Sequence, residues 1–384
     1  MFRGFQVQII QFLYRCLNLL LECIRLVVWK LRRPLEAERV CIYRIGNIGD
    51  IICAIPAMQA IRRAYPHAHL ALLTSPGKRG MFEASEVLNG APWLDEIITY
   101  YAEDIRGWGK TFKLIQNLRK RKFDVWFELP IDRSILRVSL RNMLFAFLAN
   151  ARWAAGWRIN TIRWWLQVQS ELLQFPNEVE RLLRVVGDYA IPTETIDFDL
   201  PITQEHQLAV SNLLDQLGLS EPARLIALAP GAKRSTNRWP PEMFAEVGQY
   251  VAGKGYHLLV LGSASERELC QQVCDGVGGY AHNMAGSLSI IESAALLSRC
   301  ELLVTNDSGP QHVAAAVGTP CISLFSFSDV KGKWWPYGKN HTVLQKWVSC
   351  HTCFREECPY DNKCVKSISI EDVCSVLSER LAWS

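Results

Sequence analysis

The sequence predicts an α/β protein with two domains, each built on a parallel sheet, and with a cleft between them. A chain of 384 residues exceeds the usual size of one hydrophobic core. Short apolar runs alternate with turns and helical segments, and this pattern starts again in the second half. Pro192 and Pro201 interrupt regular structure between the two halves, which predicts a linker at about residues 187–201.

The first domain is predicted over residues 39–190. Its strands are expected at residues 39–44, 69–74 and 124–129, where β-branched and apolar residues cluster. A turn containing Gly46 and Gly49 follows the first strand, and a helix is predicted from Asp50 to Ala64. Residues 1–38 stand apart as a separate N-terminal segment.

The second domain is predicted over residues 200–368, followed by a C-terminal helix at residues 369–384. Strands are expected at residues 225–229, 257–261, 301–305 and 321–325, and helices at 241–252, at 265–277 and from the turn after Thr305 to Val317. Ligands of open α/β sheets bind beyond the carboxyl ends of the strands, so the loops that follow them are the candidate sites.

Composition excludes several classes of protein. A hydrophobic fraction of 49% indicates a globular chain, and a formal net charge of +4 is too mild to predict binding to nucleic acid. No small-residue cleavage site follows the apolar N-terminus. We therefore expect a cytoplasmic protein whose 13 cysteines are reduced rather than a secreted, disulfide-linked one.

Two segments indicate contact with the inner face of the cytoplasmic membrane. Residues 1–38 form an apolar segment with six basic and three acidic residues, which predicts an amphipathic helix in the membrane interface or a helix packed on its own domain. Ser134–Ser170 contains arginines and no acidic residue. Its tryptophans predict an interfacial surface or a buried aromatic core, and they are Trp153, Trp157, Trp164 and Trp165.

The segment Thr305–Pro320 predicts an anion site. A strand ends at Thr305, and a turn containing Ser308 and Gly309 opens a helix whose first N–H groups have no intrahelical partner. His312 falls in the first helical turn and can donate to the same anion. Asp307 would repel a phosphate, so we expect it to bind a hydroxyl or to cap the turn.

The loop after the first predicted strand carries an acid among glycines. Gly46 and Gly49 precede Asp50, which a helix N-terminus keeps ionised, as a general base requires. The alternative is a carboxylate that only caps the helix. In the second domain, Lys233, Arg234 and Arg238 follow a strand, where they would neutralise a departing diphosphate or simply remain solvated.

Four cysteines lie close together near the C-terminus. Cys350, Cys353, Cys358 and Cys364 span 15 residues, a spacing that predicts a structural tetrahedral zinc or iron site. Free thiols or two disulfides are the alternatives.

Three motifs in order resemble glycosyltransferase family 9, the heptosyltransferase family of lipopolysaccharide core assembly. They are RIGNIGDIICAIPAMQAIR, PGAKRSTNRWPPEMFAEV and TNDSGPQHVAAAVGTPCISLFSFSD with PYGKNHTVL, and the resemblance spans about residues 39–374. It implies a GT-B fold of two facing Rossmann-like domains. It also implies an ADP-sugar donor, a lipid-linked acceptor and inversion at the sugar without a catalytic metal.

The resemblance also implies residue roles. Asp50 matches the family's candidate general base, and Arg238 matches the basic position that neutralises the donor phosphates. The pyrophosphate-binding turn is matched by Ser308, Gly309 and His312 with Asp307 beside them, and Glu266 matches an acid that contacts the nucleoside. The expected function is heptose transfer from ADP-heptose to a lipid-linked glycan, with another glycan or a protein as alternative acceptors.

The sequence fits two other functional classes, an oxidoreductase and a non-catalytic binder, less well than it fits a glycosyltransferase. A dinucleotide-dependent oxidoreductase would carry GxGxxG after its first strand, which this chain lacks. A non-catalytic nucleotide-sugar binder would not need both Asp50 and the anion-binding turn.

Overall fold

The computed structural model describes residues 2–29, 32–131, 135–159, 175–219 and 223–381. The chain divides into two compact units. Unit 1 comprises Met1–Gln169 and Glu178–Asp199, and unit 2 comprises Ser170–Asn177 and Leu200–Ser384.

Unit 1 is built on a parallel sheet of five strands in the order β3-β2-β1-β4-β5. The strands are β1 (Arg39–Tyr43), β2 (His69–Gly77), β3 (Glu96–Tyr101), β4 (Val125–Glu128) and β5 (Trp153–Ala155). The sequence predicted β1, β2 and β4. It missed β3, whose burial alternates only in part, and β5, which has three residues.

The helices of unit 1 connect and cover these strands. They are α1 (Phe2–Val28), α2 (Ile48–Ile52), α3 (Ile55–Ala64), α4 (Ser85–Leu88), α5 (Trp108–Lys120), α6 (Leu136–Leu148) and α7 (Glu178–Gly187). Helices α1, α5 and α6 pack on one face of the sheet, because Leu21, Leu118 and Met143 share a core with Tyr43 and Trp126.

The predicted helix from Asp50 to Ala64 is wrong in one respect, because the structure divides it into α2 and α3. Pro56 lies in the first turn of α3, where its missing N–H group leaves no hydrogen bond unmade. The chain therefore restarts a helix there, and Asp50 lies in a short helix of its own.

The C-terminal half of α1 packs on unit 1. Leu21 and Arg25 are buried, and the indole of Trp29 donates a hydrogen bond of 2.9 Å to the carbonyl of Ala151. The ring of Trp29 stacks on Trp157 at 5.3 Å, and the guanidinium of Arg25 lies over Trp153. The inner side of this helix therefore packs on its own domain, as one of the two interpretations of the sequence expected.

The interfacial interpretation of Trp153 and Trp157 is wrong, because both side chains are buried in the core of unit 1. Trp164 and Trp165 lie outside the described residues. Among the described residues, every helix is too short or not apolar enough to cross a bilayer.

Unit 2 is built on a parallel sheet of six strands in the order β11-β10-β9-β6-β7-β8. The strands are β6 (Leu225–Ala229), β7 (His257–Val260), β8 (Ala281–Asn283), β9 (Leu302–Asn306), β10 (Cys321–Leu324) and β11 (Thr342–Leu344). The sequence predicted β6, β7, β9 and β10. The two edge strands β8 and β11 have three residues each and carry too little pattern to be recognised.

The helices of unit 2 are α8 (Gln204–Gln216), α9 (Pro241–Ala252), α10 (Arg267–Val277), α11 (Ile290–Leu297), α12 (Gly309–Ala316), α13 (Lys363–Lys366) and α14 (Ile370–Arg380). The last helix belongs to the core of this unit, because Val373 and Leu377 are buried against Phe244 and Val247 of α9. With two parallel sheets, each covered by helices, the predicted α/β fold class is confirmed.

Candidate functional site

Each sheet has a point where the strand order reverses, and the candidate loops lie there. In unit 1 the reversal falls between β1 and β4, and in unit 2 between β6 and β9. Loops that leave neighbouring central strands in opposite directions open a crevice at the carboxyl edge of a parallel sheet. Asp50 follows β1, whereas Asp307 follows β9.

Asp50 is placed by a capping arrangement at the start of α2. Its Oδ2 accepts a hydrogen bond of 3.0 Å from the backbone N–H of Asn47. About a fifth of the side chain remains exposed to solvent (21%). The structure thus supports the capping role predicted as the alternative, and it leaves the side chain partly exposed.

A buried guanidinium holds the other side of this carboxylate. Nη2 of Arg44 lies 3.3 Å from Oδ1 of Asp50 and also donates 3.2 Å to Oε1 of Glu178. Burial alone would raise the pKa of Glu178, but Arg181 and Arg44 outweigh it and hold that pKa below its usual range. Arg44 therefore bridges a fully buried carboxylate and the candidate base.

The glycine at the turn is required by the position of Asp50. A Cβ atom added to Gly46 would lie 2.2 Å from Cβ of Asp50, closer than any side chain tolerates. Gly49 lies within α2, and its carbonyl accepts from the N–H of Cys53 at 2.9 Å. The first glycine of the motif thus allows the loop to pass directly beside the acid.

In unit 2, Asp307 lies among side-chain amides. Its Oδ2 accepts 3.0 Å from Asn237, and its Oδ1 accepts 3.1 Å from Gln311. Burial raises the pKa of Asp307 to about 7 and the nearby Asp329 adds to the rise, while Arg234 opposes it. Near neutral pH this carboxyl is protonated for part of the time, which lessens its repulsion of a phosphate.

The turn after Asp307 begins a helix of eight residues. Ser308 has an extended backbone at the N-cap, and Gly309 is the first residue of α12. The first N–H groups of a helix have no intrahelical acceptor and attract anions. His312 follows in the first turn, is buried, and contacts the ring of Trp334 edge to face at 6.3 Å.

Glu266 lies beside the loop after β6, where a nucleoside is expected. Its Oε2 accepts 2.9 Å from the N–H of Ser263 and 2.8 Å from the hydroxyl of the same residue. A Cβ atom on Gly231 would lie 2.1 Å from Oε1 of Glu266. The structure therefore brings Glu266 to the first glycine after β6, although the two are 35 positions apart.

The basic residues of this loop differ in their surroundings. Lys233 and Arg238 are exposed, and Nε of Arg238 donates 2.7 Å to the carbonyl of Ala232. Arg234 is partly buried and lies 3.6 Å from a carboxylate oxygen of Asp329. Lys233 and Arg238 thus present charge at the carboxyl end of β6, and Arg234 balances the acids nearby.

The four clustered cysteines all belong to unit 2. Cys364 is buried, and burial raises the pKa of its thiol. The nearby Cys358 and Cys350 raise this pKa further. In the part of the chain that the structure describes, no three His, Cys, Asp or Glu side chains are grouped closely enough to hold a metal ion. The predicted metal site therefore stays a prediction.

Several residues of these sites were not singled out from the sequence. Arg44 directly follows β1, and Asn306 is the last residue of β9. A polar residue at the end of a strand could have marked both as candidate site residues. The amide of Asn306 donates 2.7 Å to the carbonyl of Pro230 and accepts 3.0 Å from the N–H of Trp239, so it joins the end of β9 to the loop after β6. Glu178 carried no signal, because it lies 134 positions from Arg44.

Comparison with known proteins gives a consistent result. The sequence profile of glycosyltransferase family 9 (heptosyltransferase) matches residues 111–364. Lipopolysaccharide heptosyltransferase 2 of Salmonella typhimurium is 26% identical over 291 residues, which is 72% of this chain and 80% of that protein.

Solved structures are similar over most of the chain. A family 9 glycosyltransferase from Veillonella parvula has a TM-score of 0.71 at 20% identity, covering 92% of this chain and 99% of that one. The ADP-heptose lipopolysaccharide heptosyltransferase II of E. coli has a TM-score of 0.65 at 21% identity, covering 90% and 98%. At these identities the structural similarity establishes the fold.

Proposed function

The chain belongs to glycosyltransferase family 9 and is a glycosyltransferase, and we propose that it transfers heptose from ADP-heptose to a hydroxyl of a lipid-linked glycan such as the lipopolysaccharide inner core. The observation that carries the proposal is that unit 2 has a helix N-terminus suited to an anion at Asp307–His312, while unit 1 has a partly exposed acid, Asp50, bound to a buried arginine. The similarity to lipopolysaccharide heptosyltransferases supports heptose as the sugar.

The donor is assigned to unit 2. Its diphosphate would accept hydrogen bonds from the first N–H groups of α12 and from His312, while Lys233 and Arg238 contribute positive charge. Glu266 would accept hydrogen bonds from the ribose hydroxyls, since a carboxylate beside a glycine loop is a common ribose partner.

The acceptor is assigned to unit 1. Asp50 removes the proton of the acceptor hydroxyl as its oxygen bonds to C1 of the sugar. The bond between C1 and the phosphate oxygen breaks, its electron pair leaves with ADP, and the configuration at C1 inverts. Arg44 keeps the carboxylate of Asp50 oriented toward the hydroxyl, because it donates to Oδ1 from a fully buried position.

Basic side chains and helix N–H groups take the place that a divalent cation holds in many nucleotide-sugar enzymes. We therefore expect transfer to proceed at an unchanged rate in excess chelator. A rate that falls with chelator and returns with Mg²⁺ or Mn²⁺ would contradict this part of the proposal.

The reaction is assigned to the inner surface of the cytoplasmic membrane. A lipid-linked acceptor is confined to a bilayer, so an enzyme that docks there meets it at a high local concentration. The outer side of α1 supports this location, because Phe12 and Leu19 are each more than half exposed.

A panel of nucleotide sugars tests the proposal. The protein is incubated with each sugar and with lipid acceptor extracted from a strain that lacks inner-core heptose, and the products are identified by mass spectrometry. We expect the mass of one heptose to be added from ADP-heptose alone. Transfer of a hexose, or transfer to a glycan or protein instead of the lipid acceptor, would favour the alternatives.

A further inference from the structure

The outward side of three helices in unit 1 is apolar where a surface helix is normally polar. We call it the apolar face and define it by six side chains that are each more than half exposed. They are Phe12 and Leu19 of α1, Trp108 and Phe112 of α5, and Leu144 and Phe147 of α6. Trp108 is 94% exposed, which is unusual for the largest apolar side chain.

Helix α6 is apolar on both sides. Its inward side places Met143 and Ala146 in the core of unit 1, and its outward side carries Leu144 and Phe147. A helix that covers one sheet needs only one apolar stripe, and its other side is usually charged. The outward apolar stripe of α6 is therefore not explained by packing in the core of unit 1, and it is suited to contact another surface.

Helices α5 and α1 continue the same surface. Leu114 and Leu118 of α5 face the core, whereas Trp108 and Phe112 stand one turn apart on the outer side. In α1 the core receives Leu21, and Leu19 points outward. Helix α6 contacts both α1 and α5, and all three cover one face of the sheet, so their outward side chains share one surface.

The charge around the apolar face is mostly positive, although Glu103 and Asp104 lie in the turn just before α5. Residues 106–123 carry seven basic and no acidic side chains, and Lys110 and Lys113 alternate with Trp108 and Phe112 on α5. Residues 135–151 carry two arginines, Arg137 and Arg141, and again no acid. A second copy of this face would bring like charges together, whereas an anionic bilayer offers both apolar depth and opposite charge.

We propose that the apolar face docks unit 1 on an anionic membrane surface, with Trp108, Phe112, Leu144 and Phe147 inserted at the level of the lipid headgroups. This inference rests on the proposed function in one respect: docking would bring unit 1 to a lipid-linked acceptor. The contact itself follows from the exposure and charge of the three helices.

Vesicle sedimentation with the full chain tests the proposal. The unmodified protein should bind vesicles that contain phosphatidylglycerol and bind phosphatidylcholine vesicles weakly, and salt should reduce the binding. The pairs Trp108→Ser/Phe112→Ser and Leu144→Ser/Phe147→Ser should each lower the partition coefficient at least about tenfold. The control pair Leu208→Ser/Tyr280→Ser removes two exposed apolar side chains from unit 2 and should leave binding unchanged.

Each other result decides against the proposal. No binding by the unmodified protein, or equal binding by all variants, overturns it. If the face variants turn a dimer into a monomer in sedimentation equilibrium and still bind vesicles normally, the face is a contact between two copies. Melting temperatures close to that of the unmodified protein establish that the variants are folded.

The same samples separate this proposal from the proposed function. ADP affinity and transfer to a delipidated acceptor glycan in solution should be unchanged in the face variants. If no nucleotide sugar is turned over while vesicle binding still depends on the apolar face, the docking proposal stands and the proposed function fails.

Discussion

Asp50 and Asp307 occupy comparable places in the two units, since each follows a central strand and lies close to the start of the next helix, yet their partners differ. Asp50 contacts the buried guanidinium of Arg44 and a backbone N–H. Asp307 contacts the side-chain amides of Asn237 and Gln311, and its pKa is raised to about 7.

This difference shows how one fold plan gives two carboxyl groups different surroundings. A partly exposed carboxylate that a fixed cation keeps ionised and oriented meets two requirements of a general base. A carboxyl that amides surround, and that burial partly neutralises, is suited to support a turn that binds an anion.

The largest expected effect belongs to Asp50→Asn. Removing a general base lowers kcat by about 10²- to 10⁴-fold, while ADP affinity should stay within about twofold because the proposed phosphate contacts belong to unit 2. Turnover with lipid acceptor and calorimetry with ADP measure the two quantities. Glu292→Gln removes the charge from another capping acid, in α11, and should leave both near normal. A folded Asp50→Asn protein with ordinary turnover would return Asp50 to a capping role.

Arg44→Met should cost stability as well as rate. The change leaves Glu178 buried with Arg181 alone and removes the guanidinium from Asp50, so we expect the free energy of unfolding to fall by about 3 kcal/mol. Because Asp50 also loses its positioning partner, kcat should fall by about tenfold or more. Urea unfolding and turnover at a temperature where the variant is folded measure these effects.

The control for stability is Arg158→Met, which removes a guanidinium bound to Asp188 elsewhere in unit 1. Unchanged kcat would mean that Arg44 serves only the fold.

His312→Ala should act on the donor rather than on the base. The loss of a charge-assisted hydrogen bond to the diphosphate should weaken ADP binding by about tenfold and slow transfer with it. Calorimetry with ADP measures the affinity. His206→Ala removes an imidazole from the first turn of another helix, α8, and should leave ADP affinity unchanged. Equal ADP affinity in the His312→Ala protein would remove this residue from the donor site.

Asp307 should make donor binding depend on pH. Its pKa of about 7 lies above the usual value of a free carboxyl, so the folded chain keeps a proton that the unfolded chain loses. This contribution to stability is therefore present in acid and is lost as the pH rises through 7, where the new negative charge also opposes the diphosphate. We expect ADP affinity to fall about three- to tenfold between pH 6 and pH 8 relative to Asp307→Asn, measured by calorimetry. Parallel pH profiles for the two proteins would contradict the assignment.

The smallest effect on catalysis is expected from the cysteine cluster, because none of its residues belongs to either candidate loop. If Cys350, Cys353, Cys358 and Cys364 hold a structural zinc or iron ion, protein purified without chelator should contain about one equivalent of metal. Replacing Cys364 by Ser should release the ion and lower the melting temperature, with little effect on ADP affinity. Less than about a tenth of an equivalent by elemental analysis would rule against the site.

The central strands and the loops that leave them could be read from the sequence, because apolar β-branched runs ending in glycine or polar turns are local patterns. Such patterns singled out Asp50, Ser308, Gly309 and His312 as candidates. They failed at the edge strands β8 and β11, where three residues carry too little periodicity, and at residues 50–64, where Pro56 restarts the helix.

Other features exist only in the folded chain, because they join residues that are far apart in sequence. Arg44 meets Glu178 across 134 positions, and Trp29 reaches Ala151 across 122, so no local pattern predicts either contact. The burial of Trp153 and Trp157 and the raised pKa of Asp307 likewise depend on which side chains the fold brings around them. The sequence by itself determined the two-sheet plan and the candidate loops through local periodicity. Only the tertiary structure decided which acid is bound to a cation, because desolvation and charge pairing depend on distances in space.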